Sequence, residues 1–106
     1  MKCSLVVCLA FFFAGCVATV PPPVTPEMAQ ASHTQPLAVT QLQRGRVLFA
    51  SRCIECHTLP PVTAHNDTEW PHLVNAMAGR ASLKPAEKEA VLAYILAARA
   101  QNHDSN

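Results

Sequence analysis

Beyond residue 40 the apolar positions recur every three or four residues and nowhere alternate, so the pattern predicts helices and no strands, an all-α chain. In "TQLQRGRVLFASRC" a stripe places Leu42, Gly45 and Phe49 on one face, with Thr40 and Gln43 in capping-box spacing at the start. Gly45 in mid-helix costs about 1 kcal/mol relative to alanine, which points either to a poor helix or to a close neighbour there. The second stretch, "DTEWPHLVNAMAG", carries Trp70, Leu73, Val74 and Met77 on its stripe. Asp67 or Thr68 is its expected cap, Pro71 falls in the first turn, and Gly79 is the expected stop. The third, "PAEKEAVLAYILAARAQ", starts with Pro85 at a favourable first position and turns Val91, Tyr94, Ile95 and Ala98 inward.

Upstream the periodicity disappears. Lys2 precedes an uncharged run from Cys3 to Cys16 that is too short to span a bilayer. A basic residue, about 7 to 15 apolar residues and small residues at the end make a secretory signal. From Val17 to Pro36 the chain holds Pro21, Pro22, Pro23, Pro26 and Pro36, no aromatic residue and one charge, Glu27. Such a segment reads as a semi-rigid tether that buries no core, with a reach of up to about 60 Å at about 3 Å per residue.

The end of the signal, "FAGC", resembles the lipobox of bacterial lipoproteins, in which cleavage falls just before a cysteine diacylated on sulfur. The resemblance makes Cys16 the lipidated residue, with Ala14 and Gly15 matching and Phe13 standing where an aliphatic residue is usual. The alternative is an ordinary signal peptide cut after Ala18. The expected organisation is therefore a signal over 1–15, a lipidated cysteine and tether over 16–36, and a helical domain over 37–106.

Three short helices in about seventy residues bury a marginal core, since below roughly 70–80 residues apolar burial leaves only a few kcal/mol after chain entropy. A staple is expected, and "RCIECHTLPP" holds the candidates. A Cys53–Cys56 disulfide would close a tiny loop and tie nothing distant together. Zinc would find at most three ligands there, and a thioredoxin-like pair needs a βαβ surrounding that this chain lacks. Covalent haem attachment remains. Cys53 and Cys56 can each add a thiol to one vinyl group of the same porphyrin, and His57, next in line, can ligate the iron.

With C-x-x-C-H in place, residues 40–101 resemble a small class I cytochrome c. The resemblance implies a fold of about three helices wrapped around one covalently bound haem c. It also implies that the first and last helices cross at a glycine between aromatics, matched here by Gly45, Phe49 and Tyr94. A proline carbonyl, from Pro60 or Pro61, is expected to hold the outer nitrogen of His57. For the sixth ligand Met77 is the leading candidate, with His65 and His72 as alternatives. His33 and His103 read as solvated.

Composition adds mainly exclusions. The net charge is +1, and basic residues Arg44, Arg46, Arg52, Arg80, Lys84, Lys88 and Arg99 are nearly matched by acidic ones, mostly as a solvated face. No clustered basic surface suits nucleic acid. The expectation is an exported carrier, not an enzyme, lipid-anchored on the periplasmic side of the outer or inner membrane. It would pass single electrons between redox partner proteins of a respiratory or dehydrogenase chain. Two alternatives remain open: a haem-based small-ligand sensor with an open sixth site, and a cytochrome subunit of a larger dehydrogenase or oxidase complex.

Overall fold

The computed structural model describes residues 20–30, 39–53 and 58–104, and these are all-α: four helices and no strand. Helix α1 is Pro26–Gln30, α2 is Val39–Arg52, α3 is Glu69–Ala78 and α4 is Pro85–Asp104. Among the described residues no helix is long and apolar enough to cross a membrane. The signal over 1–15 and Cys16 lie outside them.

Helix α4 is the spine of the domain. It opens with Pro85 in the first turn, and Glu87 reaches back to accept a bond from the Lys84 amide at 2.9 Å, half of a capping box. Its buried face carries Val91, Tyr94, Ile95 and Ala98, the stripe expected from spacing. Helix α2 packs chiefly against α4 and buries Leu42, Gly45 and Phe49. It begins at Val39, so Thr40 lies inside the first turn rather than capping it.

Gly45 is where the two backbones meet. A Cβ built there would overlap the carbonyl oxygen of Ala90 and lie 2.7 Å from its carbonyl carbon and 2.8 Å from Cβ of Tyr94. The close approach of α2 and α4 therefore accounts for a glycine that helix propensity disfavours. Phe49 fills the space beside the crossing, its ring 6.0 Å from that of Trp70 in an edge-on arrangement and 6.2 Å from that of Tyr94. Edge-on pairing sets the positive rim of one ring against the negative face of the other.

Residues 20–30 depart from the expectation of a tether that buries nothing. Met28, in α1, is 1% exposed, and Ala29 is buried beside it. Burying a methionine side chain contributes about 1.5–3 kcal/mol, enough to hold a short segment that composition alone reads as solvated. The proline carbonyls are also used. Arg46 donates through Nε to Pro22 O at 2.9 Å and through Nη2 to Pro21 O at 3.0 Å, and the Tyr94 hydroxyl donates to Pro22 O at 2.6 Å.

A second departure is Arg99, expected on the solvated face but only 7% exposed. Its Nε donates to Asp67 Oδ1 at 2.6 Å and its Nη1 to Val62 O at 3.2 Å. The buried guanidinium is thus both paired and hydrogen-bonded, as a charge removed from water has to be.

Candidate functional site

A cavity of about 260 Å³, open to solvent on one side, lies between the end of α2, the loop that follows residue 58, α3 and α4. Its wall is largely apolar, with Phe49, Trp70, Leu73, Val74, Val91 and Ile95 supplying most of it. Three local devices place the remaining wall residues.

The first is the end of α2 at Arg52, which delivers Cys53 to the wall. Cys56 and His57 fall outside the described residues, and so does any bond between His57 and a proline carbonyl. Pro60 lines the cavity, whereas the Pro61 carbonyl accepts a turn bond from the Ala64 amide at 2.9 Å.

The second device caps α3. Neither Asp67 nor Thr68 does this with its side chain: Thr68 has a helical backbone and makes no side-chain cap bond. Asn66 does it instead. Its Oδ1 accepts from the amides of Thr68 at 3.0 Å and Glu69 at 2.8 Å, while Glu69 Oε2 accepts from the Asn66 amide at 3.0 Å. This is a reciprocal capping box. Asn66 O takes the first helical bond, from the Trp70 amide at 3.1 Å. Asp67 is drawn off by Arg99. With its start held, α3 presents Trp70, Leu73, Val74 and Met77 to the cavity, along one stripe of the helix. The indole Nε1 donates to Val62 O at 2.9 Å, so the same carbonyl serves both Trp70 and Arg99.

The third device turns the chain back after α3. Gly79, expected as the stop, keeps helical angles (φ −64, ψ −43), and the left-handed residue is Ser82 at φ 53. The Leu83 amide donates to Ala78 O at 2.9 Å and the Ser82 amide to Gly79 O at 3.3 Å. These are the paired bonds of a Schellman ending. The physical reason lies in the apolar pattern. Ala81 is buried and Leu83 lines the cavity, so the turn comes where both point inward.

Cys53 and Met77 thus line one cavity, and His65 lines it too. The His65 ring sits edge-on to Trp70 at 5.1 Å, with Nδ1 3.7 Å from Glu69 Oε2. His72 is exposed on α3 and does not belong to the wall. Two cations, Arg52 and Arg80, line the cavity, and among the described lining residues there is no carboxylate. Charge counting along the sequence treats both as ordinary surface residues. Arg99 was legible in principle, since Val91, Ile95 and Arg99 recur every four residues on the inward face of α4. Among the described residues no cluster of histidine, cysteine or acidic side chains is arranged to hold a bare metal ion.

A haem fits this donor set. The cavity, at about 260 Å³, lies just below the roughly 300–1,000 Å³ of ligand clefts and is open to solvent on one side. Its wall suits a porphyrin face, and thiol and thioether groups stand on it. The two guanidiniums suit the carboxylates that a porphyrin carries. Comparisons with protein-family models, with curated proteins and with solved structures give no match for this chain.

Proposed function

We propose that this chain is a monohaem c-type cytochrome that carries single electrons between membrane-associated redox partners outside the cytoplasm. One observation supports the reading above the others: Cys53, the first cysteine of "CIECH", and Met77 stand on the wall of the same apolar cavity. Cys53 and Cys56 would hold haem c through thioether bonds, and His57 and Met77 would ligate its iron. When bound, the haem supplies a reversible one-electron couple between Fe(III) and Fe(II).

The chain's own residues do the rest. Phe49, Trp70, Val91 and Ile95 exclude water from the cavity, which disfavours the more highly charged oxidised state. The neutral thioether of Met77 acts in the same direction. Arg52 and Arg80 offset the charge of the haem carboxylates. The Asn66–Glu69 box and the Val62 carbonyl hold α3, and with it Met77, in one position.

An absorption spectrum of the purified protein tests this directly. Haem that stays with the chain after denaturation and extraction is the expected result, together with a reduced spectrum unchanged by carbon monoxide. Extractable haem would overturn the covalent assignment. A spectrum that shifts with carbon monoxide would favour the sensor reading, and co-purification with a membrane dehydrogenase or oxidase would favour the subunit reading.

A further inference from the structure

The proline-rich segment has two possible lives, a free spacer or part of the domain, and they place the domain at very different heights above a membrane. Free, the residues from 17 to 36 would reach up to about 60 Å at about 3 Å per residue. Bound, they would not, because the bound part no longer contributes length.

The contacts favour the second. Three successive prolines have no amide hydrogens and no internal bonds, so their carbonyls stand outward and available. The Arg46 fork takes two successive ones, with Nε 2.9 Å from Pro22 O and Nη2 3.0 Å from Pro21 O. Tyr94 adds a bond to Pro22 O at 2.6 Å, and Thr25 Oγ1 lies 3.3 Å from Gln101 Oε1 at the far end of α4. Met28 is buried to 1% against the domain. The segment is thus fastened at both its ends and in the middle.

We propose that residues 20–30 form a strap that holds the domain directly against the surface of the bilayer carrying its lipid. The proposal rests on the reading of Cys16 as the lipidated residue. From Cys16 to Val20 there are only four steps of chain, which span at most about 14 Å at about 3.5 Å each. Val20, 72% exposed, is the end nearest the anchor. It lines a groove of about 210 Å³ with Pro21, Pro22, Leu59, Pro61 and Asn102, and among the described residues no charged side chain lines that groove to repel an anionic headgroup. Phe49 and Pro60 line both this groove and the apolar cavity beside α3. The electron-carrying site therefore lies one side-chain layer behind the face turned to the membrane, suited to partners embedded in that same membrane.

Two insertions separate the strap from a free tether. The full lipidated chain is placed in phosphatidylethanolamine and phosphatidylglycerol vesicles doped with a dansyl-headgroup lipid, and energy transfer from dansyl to haem is read. A Gly-Ser insert of about ten residues adds roughly 17 Å of mean reach. Placed between Ala18 and Thr19, it should lower transfer about twofold or more. Placed between Thr34 and Gln35, beyond the strap, it should leave transfer unchanged. In Arg46→Ala the second insert should begin to lower transfer as well. Equal loss from both inserts in otherwise wild-type protein that stays on the vesicles overturns the strap alone. Wild-type protein that washes off the vesicles overturns the lipid reading and this proposal with it. If the sample shows no haem absorption, Trp70, the one tryptophan of the chain, serves as donor to the same dansyl lipid.

Discussion

Gly45 of α2 lies against the backbone of Ala90 in α4 so closely that a methyl group on it would overlap the Ala90 carbonyl. The neighbouring atoms are backbone and Cβ, which cannot swing aside as the end of a flexible side chain would. Gly45→Ala should therefore destabilise the protein although alanine is the better helix former. Overpacking of this kind costs about 1–3 kcal/mol or more, against about 1 kcal/mol gained in propensity. Urea denaturation of the purified protein measures the difference. A variant as stable as wild type would show that the helices separate without loss.

Met77 decides the chemistry if the proposed function holds. Met77→Ala should open the sixth iron position to carbon monoxide or cyanide and lower the reduction potential, with helix content nearly unchanged. Were Met77 only part of the apolar wall, the substitution would instead cost about 2–5 kcal/mol and leave the iron spectrum as it was. That second outcome would move attention to His65, which lines the same cavity.

If the proposed function holds, loss of both Cys53 and Cys56 should be a folding defect as well as a cofactor defect. A haem held by both thiols would fill the apolar cavity, and in Cys53→Ala/Cys56→Ala nothing covalent would keep it there. Circular dichroism of the purified double variant should show strongly reduced helicity. A cooperative melt at near-native helicity would mean that the four helices stand without haem.

The Val62 carbonyl accepts from Trp70 Nε1 and Arg99 Nη1 and so ties the loop after the C-x-x-C-H motif to α3 and α4. Arg99→Ala should cost about 1–3 kcal/mol, mostly from the buried bonds, because Asp67 is itself exposed and its ion pair is screened. Arg99→Lys should recover part of this, since an ammonium is a point donor without the fork. Denaturant midpoints of the three proteins give the order: wild type, lysine, alanine.

Tyr94 should make the protein sensitive to high pH. Burial pushes its hydroxyl up to about 12 from an ordinary value of 10.0. The fold therefore favours the neutral phenol, and its contribution is complete below pH 10 and lost as the pH rises from there through about 12. Tyr94→Phe should flatten that part of the profile while losing the bond to Pro22, about 1 kcal/mol. Glu87 acts at the other extreme. The Lys84 amide holds its carboxyl below 4.5, so its contribution is present above that pH and lost as the pH falls through the lowered value. Melting temperature against pH, in wild type and the two single variants Tyr94→Phe and Glu87→Gln, checks both.

The helical class and the inward stripes of α2, α3 and α4 were legible in the order of residues, whereas the crossing of α2 and α4 at Gly45 was expected only from the family resemblance. The stripes are properties of spacing: a period of 3.6 residues places Leu42, Gly45 and Phe49, or Val91, Tyr94 and Ile95, on one side whatever they meet. Other features depend on partners far along the chain and emerge only from packing. Asn66 caps α3 while Asp67 pairs with Arg99, more than thirty residues away. Ser82 rather than Gly79 turns the chain, because the apolar face continues through Ala81 and Leu83. Pro21 and Pro22, which composition assigns to a solvated tether, lie on the domain because Arg46 and Tyr94 offer donors where their carbonyls fall. No local pattern encodes such a match, since hydrogen bonds between distant segments exist only once folding has brought both ends together.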